Sequence, residues 1–205
     1  MDIQLNFINK SNDMSNSKIV IFQKNVATTY DETTVAWRVI ENCGVNDNHP
    51  FVFPMAMEIN AIDSWGNHTP QLAATNNELF SISKTGSGNT LSLFGQATSS
   101  SEVQLRNDLE QGAVSASIYK GGKLLAQKRS VAPGQKAVFQ FKPTIWIGAV
   151  SEVTAGAIMN SAVISDVNTE LSLLGIASAD IVMTGGGPGR GSTQIVFRLE
   201  NVVLA

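Results

Sequence analysis

The two histidines of this chain, His49 and His68, fall in polar segments that read as loops and each hold a carboxylate, "NDNHPF" with Asp47 and "DSWGNHTP" with Asp63. Two imidazoles and two carboxylates form a donor set that zinc or a harder cation accepts. Neither loop has the tight spacing, such as H-E-x-x-H on a helix or paired C-x-x-C, that brings ligands to one point. Neither a metal nor a cofactor is expected, and the histidines read as loop residues. Cys43 is the single cysteine, six residues before His49 with Asp47 between them. A reactive thiolate needs a neighbouring base or a positive dipole. Closeness along the chain does not supply one, because catalytic partners converge from distant parts of a fold. Cys43, just after the apolar run "AWRVI", reads instead as a small hydrophobe at a strand end. No G-x-S-x-G elbow is present, and two histidines leave little from which to assemble a serine triad. A pair of carboxylates for glycoside hydrolysis stays open, since spacing in sequence says little about it.

The string "TGGGPGRGS", Thr184 to Ser192, has the glycine content of a phosphate cradle. A P-loop requires G-x-x-x-x-G-K-[ST] between a strand and a helix, so that backbone N–H groups and the helix terminus meet the phosphates. Here the lysine is missing, and "STQIVFRLENV" continues with Ile195, Phe197 and Leu199 on one face and Gln194, Arg198 and Glu200 on the other, which is a strand. "ASADIVMTG" before it is another. The glycines therefore serve a hairpin connection between the last two strands. Arg190 at its tip is the one side chain there that could meet an anionic partner.

Aromatic residues in loop chemistry point to binding rather than catalysis. Trp65 is surrounded by Asp63, Ser64, Gly66 and Asn67, whereas Trp37 and Trp146 lie inside apolar strands and belong in a core. Trp65 is expected to stack or anchor, with Asn67 and His68 supplying hydrogen bonds. "HPFVFPMAM" carries Phe51 and Phe53 between two prolines. It reads either as an apolar docking surface or as an edge strand whose prolines block the outer ladder while its phenylalanines face the core. The candidate ligand-binding residues are thus Trp65, Asn67, His68, Phe51, Phe53 and Arg190; no catalytic residue is assigned.

The elements that position these residues are strands. "IQLNFI" sets Ile3, Leu5 and Phe7 against Gln4 and Asn6; "KAVFQFK" sets Ala137, Phe139 and Phe141 against Lys136, Gln140 and Lys142. "KIVIFQK", "TVAWRVI", "ELFSISK", "NTLSLFG", "SEVQLRN", "AVSASIYK", "TELSLLG" and "ADIVMTG" add short β-branched or aromatic runs. Pro133 and Gly134 predict a type II turn joining two strands as a hairpin. In Gly156–Gly175, Ile158, Ala162 and Ser165 have near-helical spacing, and the poor propensity of the segment allows one or two short helical turns. The fold expected is all-β, an antiparallel β-sandwich forming a single domain, 1–205, with a closed barrel as runner-up. A pseudo-repeat of 1–95 and 96–205 is an open alternative. "IQLNFINKS" is echoed by "VQLRNDLEQ", "SKIVIFQK" by "VSASIYKG", and "TVAWRVI" by "TIWIGAV", at an offset of about 100 residues.

Charged residues make up 15% of the chain, with a formal net charge of −3 and no basic cluster, so the electrostatic footprint of a nucleic-acid-binding protein is missing. No run reaches the roughly 18 apolar residues of a spanning helix, and the amino terminus lacks the pattern of a secretory signal. The expected location is cytoplasmic or reached by non-classical export. A glycan or protein surface is the expected partner, and pairing into a homo-oligomer through an edge strand stays open.

The strings "FINKS…KIVIFQKN…VAWRVI", "KPTIWIG" and "LSLLGIASADIVMTGGGPG" resemble the rhizosphere-induced protein (RhiA-like) family of small bacterial proteins. The resemblance spans about half the chain and implies an interaction or effector protein of host-associated bacteria with a β-rich fold. It supplies no catalytic positions. The function expected is non-enzymatic binding of a ligand or partner surface through loops. The alternatives are a membrane-acting toxin or effector with an apolar loop in lipid and, third, a hydrolase or metal-dependent enzyme.

Overall fold

The computed structural model describes residues 2–15, 17–27, 34–160, 163–164, 167 and 169–205. Among the described residues the chain is all-β and sandwich-like, with no helix of seven residues or more. It divides into two compact units. Unit 1 comprises Met1–Gln23, Ala36–Met55 and Pro143–Ala205; unit 2 comprises Lys24–Val35 and Ala56–Lys142. The division is nested, with no boundary near residue 95.

Unit 1 contains β1 (Ile3–Asn9), β2 (Lys18–Phe22), β3 (Arg38–Ile40), β4 (Asn48–Phe53), β13 (Thr144–Val150), β14 (Thr169–Ser172), β15 (Ile176–Gly186) and β16 (Thr193–Leu204). They form two four-stranded sheets, ordered β16-β15-β1-β4 and β14-β13-β2-β3. Unit 2 contains β5 (Met57–Ile62), β6 (Leu72–Ala74), β7 (Glu78–Thr85), β8 (Gly88–Gln96), β9 (Val103–Asn107), β10 (Val114–Lys120), β11 (Lys123–Val131) and β12 (Lys136–Phe139). Its sheets are ordered β11-β10-β5-β6 and β12-β9-β7-β8. Each unit has one wholly antiparallel sheet and one sheet whose central pair, β1–β15 or β7–β9, is parallel.

Local patterns follow from burial. In β1, Ile3, Leu5, Phe7 and Asn9 are buried and the residues between them are not, the period-two signature of a strand covered on one face. β2 differs: Ile19 to Phe22 are all fully buried, and Val20 and Phe22 pack into an apolar cluster with Ala36, Val153, Met159, Ile164 and Val167. A strand covered on both faces reads as the unbroken run "KIVIF". Trp37 is buried, its ring 5.4 Å from Phe53 and 6.3 Å from Phe51. Trp146 is half-buried and packs against the cluster around Val20 and Phe22.

Three sequence expectations are corrected or confined. Gly134 does take a positive φ, +77°, and Gln135 N–H donates to Ala132 O at 2.9 Å, so the turn forms. It is not a hairpin: β11 before it pairs with β10, and β12 after it pairs with β9 in the other sheet. In the segment 156–175 the described residues hold helical backbone only at 163–164, followed by β14; Ala162 and Ser165 lie outside the described residues. Trp37 and Trp146, matched in the sequence echo, lie on non-equivalent elements, since Trp37 precedes β3 while Trp146 is on β13.

Candidate functional site

The candidate residues fall in three places. Phe51 and Phe53 are 7% and 1% exposed and pack on Trp37, so they belong to the core of unit 1 and are not the docking side chains expected of them. Their strand, β4, is a sheet edge with Pro50 in it, the arrangement in which proline costs no ladder bond. Arg190 is exposed at the centre of a 3-10 turn, Gly189–Gly191, between β15 and β16. Those two strands pair directly, so the glycine-rich string is a hairpin connection.

The glycines there answer to close packing as well as to turn geometry. A Cβ on Gly185 would lie 2.1 Å from the carbonyl oxygen of Gln194, and one on Gly186 would lie 3.0 Å from the backbone nitrogen of Asp13. Asn12 N–H donates to Gly185 O at 2.7 Å, and Asp13 accepts from the backbone N–H groups of Ser15 and Ser17. The hairpin end and the chain after β1 are thereby pressed together, beside a cleft of about 500 Å³ that includes Met14, Val45 and Pro188.

Trp65, Asn67 and His68 come together on one loop of unit 2. Its base is the isolated bridge between Ile62 and His68, reinforced by Thr69, whose hydroxyl accepts from Ala61 N–H at 3.0 Å and whose own N–H donates to Ala61 O at 2.9 Å. Asp63 organises everything between. Its Oδ1 accepts the backbone N–H groups of Trp65 and Asn67, each at 2.9 Å. Its Oδ2 accepts from Asn67 Nδ2 at 3.1 Å and from Asn89 Nδ2 of β8 at 3.2 Å. The Asn67 side chain, then its backbone N–H, with further help from Trp65 and Asn89, hold the Asp63 carboxyl below the usual carboxylate range. Both oxygens thus hold the loop, Oδ2 tying it to β8 as well, which makes this carboxylate a positioning group.

What the loop presents is mostly uncharged, with Asp63 its one carboxylate. Trp65 is 88% exposed on a backbone fixed by Asp63. The same loop borders a cleft of about 260 Å³ whose walls include Asp63, Asn67, His68, Ser87 and Asn89. His68 Nδ1 stands 3.5 Å from Nδ2 of the buried Asn60. Amide, hydroxyl and imidazole groups near a solvent-facing indole on a fixed backbone can hydrogen-bond and stack. Asn89 and Ser87, from the other side of the cleft, were not legible beforehand. The spacing Asp63-x-x-x-Asn67 is the local signal for the loop itself, since an aspartate that accepts backbone N–H groups two and four residues on is ordinary Asx-turn chemistry.

The chemistry weighed for Cys43 and His49 is not assembled. His49 Nε2 lies 3.0 Å from Asn42 O, and Cys43 Sγ contacts Asp47 O at 3.9 Å. Burial, with the Asp47 charge second, pushes the Cys43 thiol up, away from the thiolate that a nucleophile requires. Among the described residues no cluster of three or more His, Cys, Asp or Glu could hold a metal ion, and no helix is long and apolar enough to cross a membrane.

Comparison with known proteins finds no matching family model, no similar curated protein and no similar solved structure.

Proposed function

We propose that the protein is a non-enzymatic binding module and that unit 2 engages a glycan or protein surface through the Trp65 loop, with a neutral, hydroxyl-rich glycan the ligand the site suits best. The observation that supports this is the 88% exposure of Trp65 on a loop whose backbone Asp63 pins at two positions. Large rings are normally covered, and an exposed tryptophan on a fixed backbone contributes contact area with little backbone ordering cost on binding. The cleft on this loop offers amides and a hydroxyl, and its carboxylate, Asp63, already accepts four hydrogen bonds, which suits ligand hydroxyl groups better than a cation. The resemblance to rhizosphere-induced proteins agrees with an interaction role.

A glycan array probed with wild type and Trp65→Ala tests the reading. The expected result is a restricted set of glycans bound by wild type, with quenching or a shift of tryptophan emission on titration, and loss of that set in Trp65→Ala. Wild-type protein that binds no glycan or protein surface, or a Trp65→Ala variant that binds as well as wild type, refutes it. Binding to lipid vesicles alone would favour a membrane-acting role in its place.

A further inference from the structure

We propose that β8 of unit 2 is a self-association edge, pairing antiparallel with β8 of a second copy of the chain about a two-fold axis. β8 is nine residues long, lies at the end of its sheet and, among the described residues, forms its backbone ladder with β7 alone. Its sequence, "GNTLSLFGQ", contains no charge and no proline. Among the described residues every other edge strand longer than three residues carries one or the other. β4 has Pro50, β11 has Lys123, Lys128 and Arg129, β12 has Lys136, β14 has Glu170, and β16 has Arg198 and Glu200. Charges and prolines are the devices by which sheet edges are kept from pairing, and a long neutral edge lacks them.

The edge also carries an anchor held in place. Leu93 and Phe94 are 57% and 60% exposed. The Arg106 guanidinium lies 4.2 Å above the Phe94 ring and is fixed by two bonds to Asp108, at 2.7 and 2.8 Å; Asp108 in turn accepts from the buried Ser81 hydroxyl. An exposed ring fixed in this way loses little freedom when covered. The corresponding edge in unit 1 is built the opposite way. With β1 matched to β9 by their place in the sheets and Asn9 to Asn107 at the strand ends, the parallel partners Met183 and Ile82 correspond, as do Val182 and Ser81 before them, whose antiparallel partners are Arg198 and Ser92. Where β8 has the bulge at Phe94 and Gly95, β16 has Glu200, bonded to Arg198 at 2.7 Å and within 3.8 Å of Lys10.

The occupant that fits is another β8. A charged partner strand would bury its charges against a row that offers none in return, whereas a second neutral strand leaves nothing uncompensated. A two-fold centred on Ser92 sets Ser92 against its own copy and Leu91 against Leu93 of the second copy, the hydroxyl and apolar pairs that antiparallel strands favour.

Sedimentation velocity over a rising concentration series tests the pairing. Wild type is expected to pass from monomer to dimer, Leu93→Lys to stay monomeric with an unchanged far-UV dichroism spectrum, and Val196→Lys on β16 to dimerise like wild type. A second variant, Ser92→Cys in a Cys43→Ser background, is expected to form a covalent dimer on mild oxidation. Monomer at every concentration together with no cross-link, or a dimer that survives Leu93→Lys and is lost in Val196→Lys, overturns the proposal.

Discussion

The two units have one topology read from different starting points along the chain. Taken in the order β13, β14, β15, β16, β1, β2, β3, β4, unit 1 repeats β5 to β12 of unit 2: the same sheet orders, the same parallel central pair and the same edge strands. The likeness extends to single hydrogen bonds. Buried Asn9 ends β1 and buried Asn107 ends β9. Asn9 Nδ2 donates to Cys43 O at 2.8 Å, and Asn107 Nδ2 to Val131 O at 2.9 Å; each Oδ1 accepts the N–H two residues on, from Ser11 or Leu109. Asn9 N–H donates to Asp47 O and Asn46 N–H to Asn9 O, while Asn107 N–H donates to Gln135 O and Gly134 N–H to Asn107 O. Asn46 and Gly134 both take positive φ, 69° and 77°. The loops and edges built on this frame differ. Shared backbone chemistry therefore marks what the fold needs, and the divergent parts, the Trp65 loop and the β8 edge among them, are where the units are free to carry separate tasks.

The largest effect expected is at the asparagines. Asn107→Ala strands the carbonyls of Val131 and Gly112 and the N–H of Leu109. Unpaired buried groups cost about 1–3 kcal/mol each, with relaxation recovering part, so a loss of about 3 kcal/mol is expected in denaturant unfolding. Asn9→Ala should cost the same within about 1 kcal/mol if the two positions do one job. A loss at one site and none at the other would break the equivalence of the units.

A smaller and one-sided effect is expected in the hairpins. Gly185 corresponds to Lys84, because Met183 and Ile82 are counterparts. The unit 1 hairpin is irregular between Thr184 and Gly186, whereas β7 and β8 stay in register through Lys84 and Thr85. Gly185→Ala combines a φ of +91° with a Cβ 2.1 Å from a backbone oxygen. It is expected to lower stability by about 2–3 kcal/mol, and Lys84→Ala to change it by less than about 0.5 kcal/mol, by thermal or denaturant unfolding. Equal effects would show that the close approach at Gly185 is readily relieved.

Much of this frame was legible in the residues, and the parts that were not have definite causes. The alternation in "IQLNFI" and "STQIVFRLENV" identifies strands because one face is covered. The same alternation hides register. The sequence echo aligns residue 3 with 103, but the shared Asn9 and Asn107 align Leu5 with Val103; a slip of two leaves every inward residue inward, so hydrophobicity does not detect it. The nested boundaries were hidden because the strands of unit 1 lie at the two ends of the chain. Asn9 itself was visible, a polar residue at the inward parity of β1, but its partners are supplied by a turn near residue 45. At the candidate site, Trp65, Asn67 and His68 were legible because a local Asx turn gathers them, whereas Asn89 arrives from another strand.

The smallest stability effect is expected at Trp65, and it sharpens the contrast between frame and loop. An indole 88% exposed contributes little packing, so Trp65→Ala should shift stability by less than about 0.5 kcal/mol while removing ligand binding. Asp63→Ala should keep the frame intact and still weaken binding, because Trp65 loses the acceptor for its N–H; lower emission anisotropy of Trp65, measured with Trp37 and Trp146 changed to Phe, would report the loosened loop. Acid should act by the same route. The folded Asp63 carboxyl lies below its unfolded value of about 3.9, so the ordering it provides is present above that pH and is lost as pH falls through the lower, folded value. Binding measured by tryptophan emission should therefore hold steady down to about pH 4 and decline only in stronger acid, and Asp63→Asn should not show that acid limb. An acid limb of the same midpoint in Asp63→Asn would assign it to another group and leave the Trp65 loop without its proposed organiser.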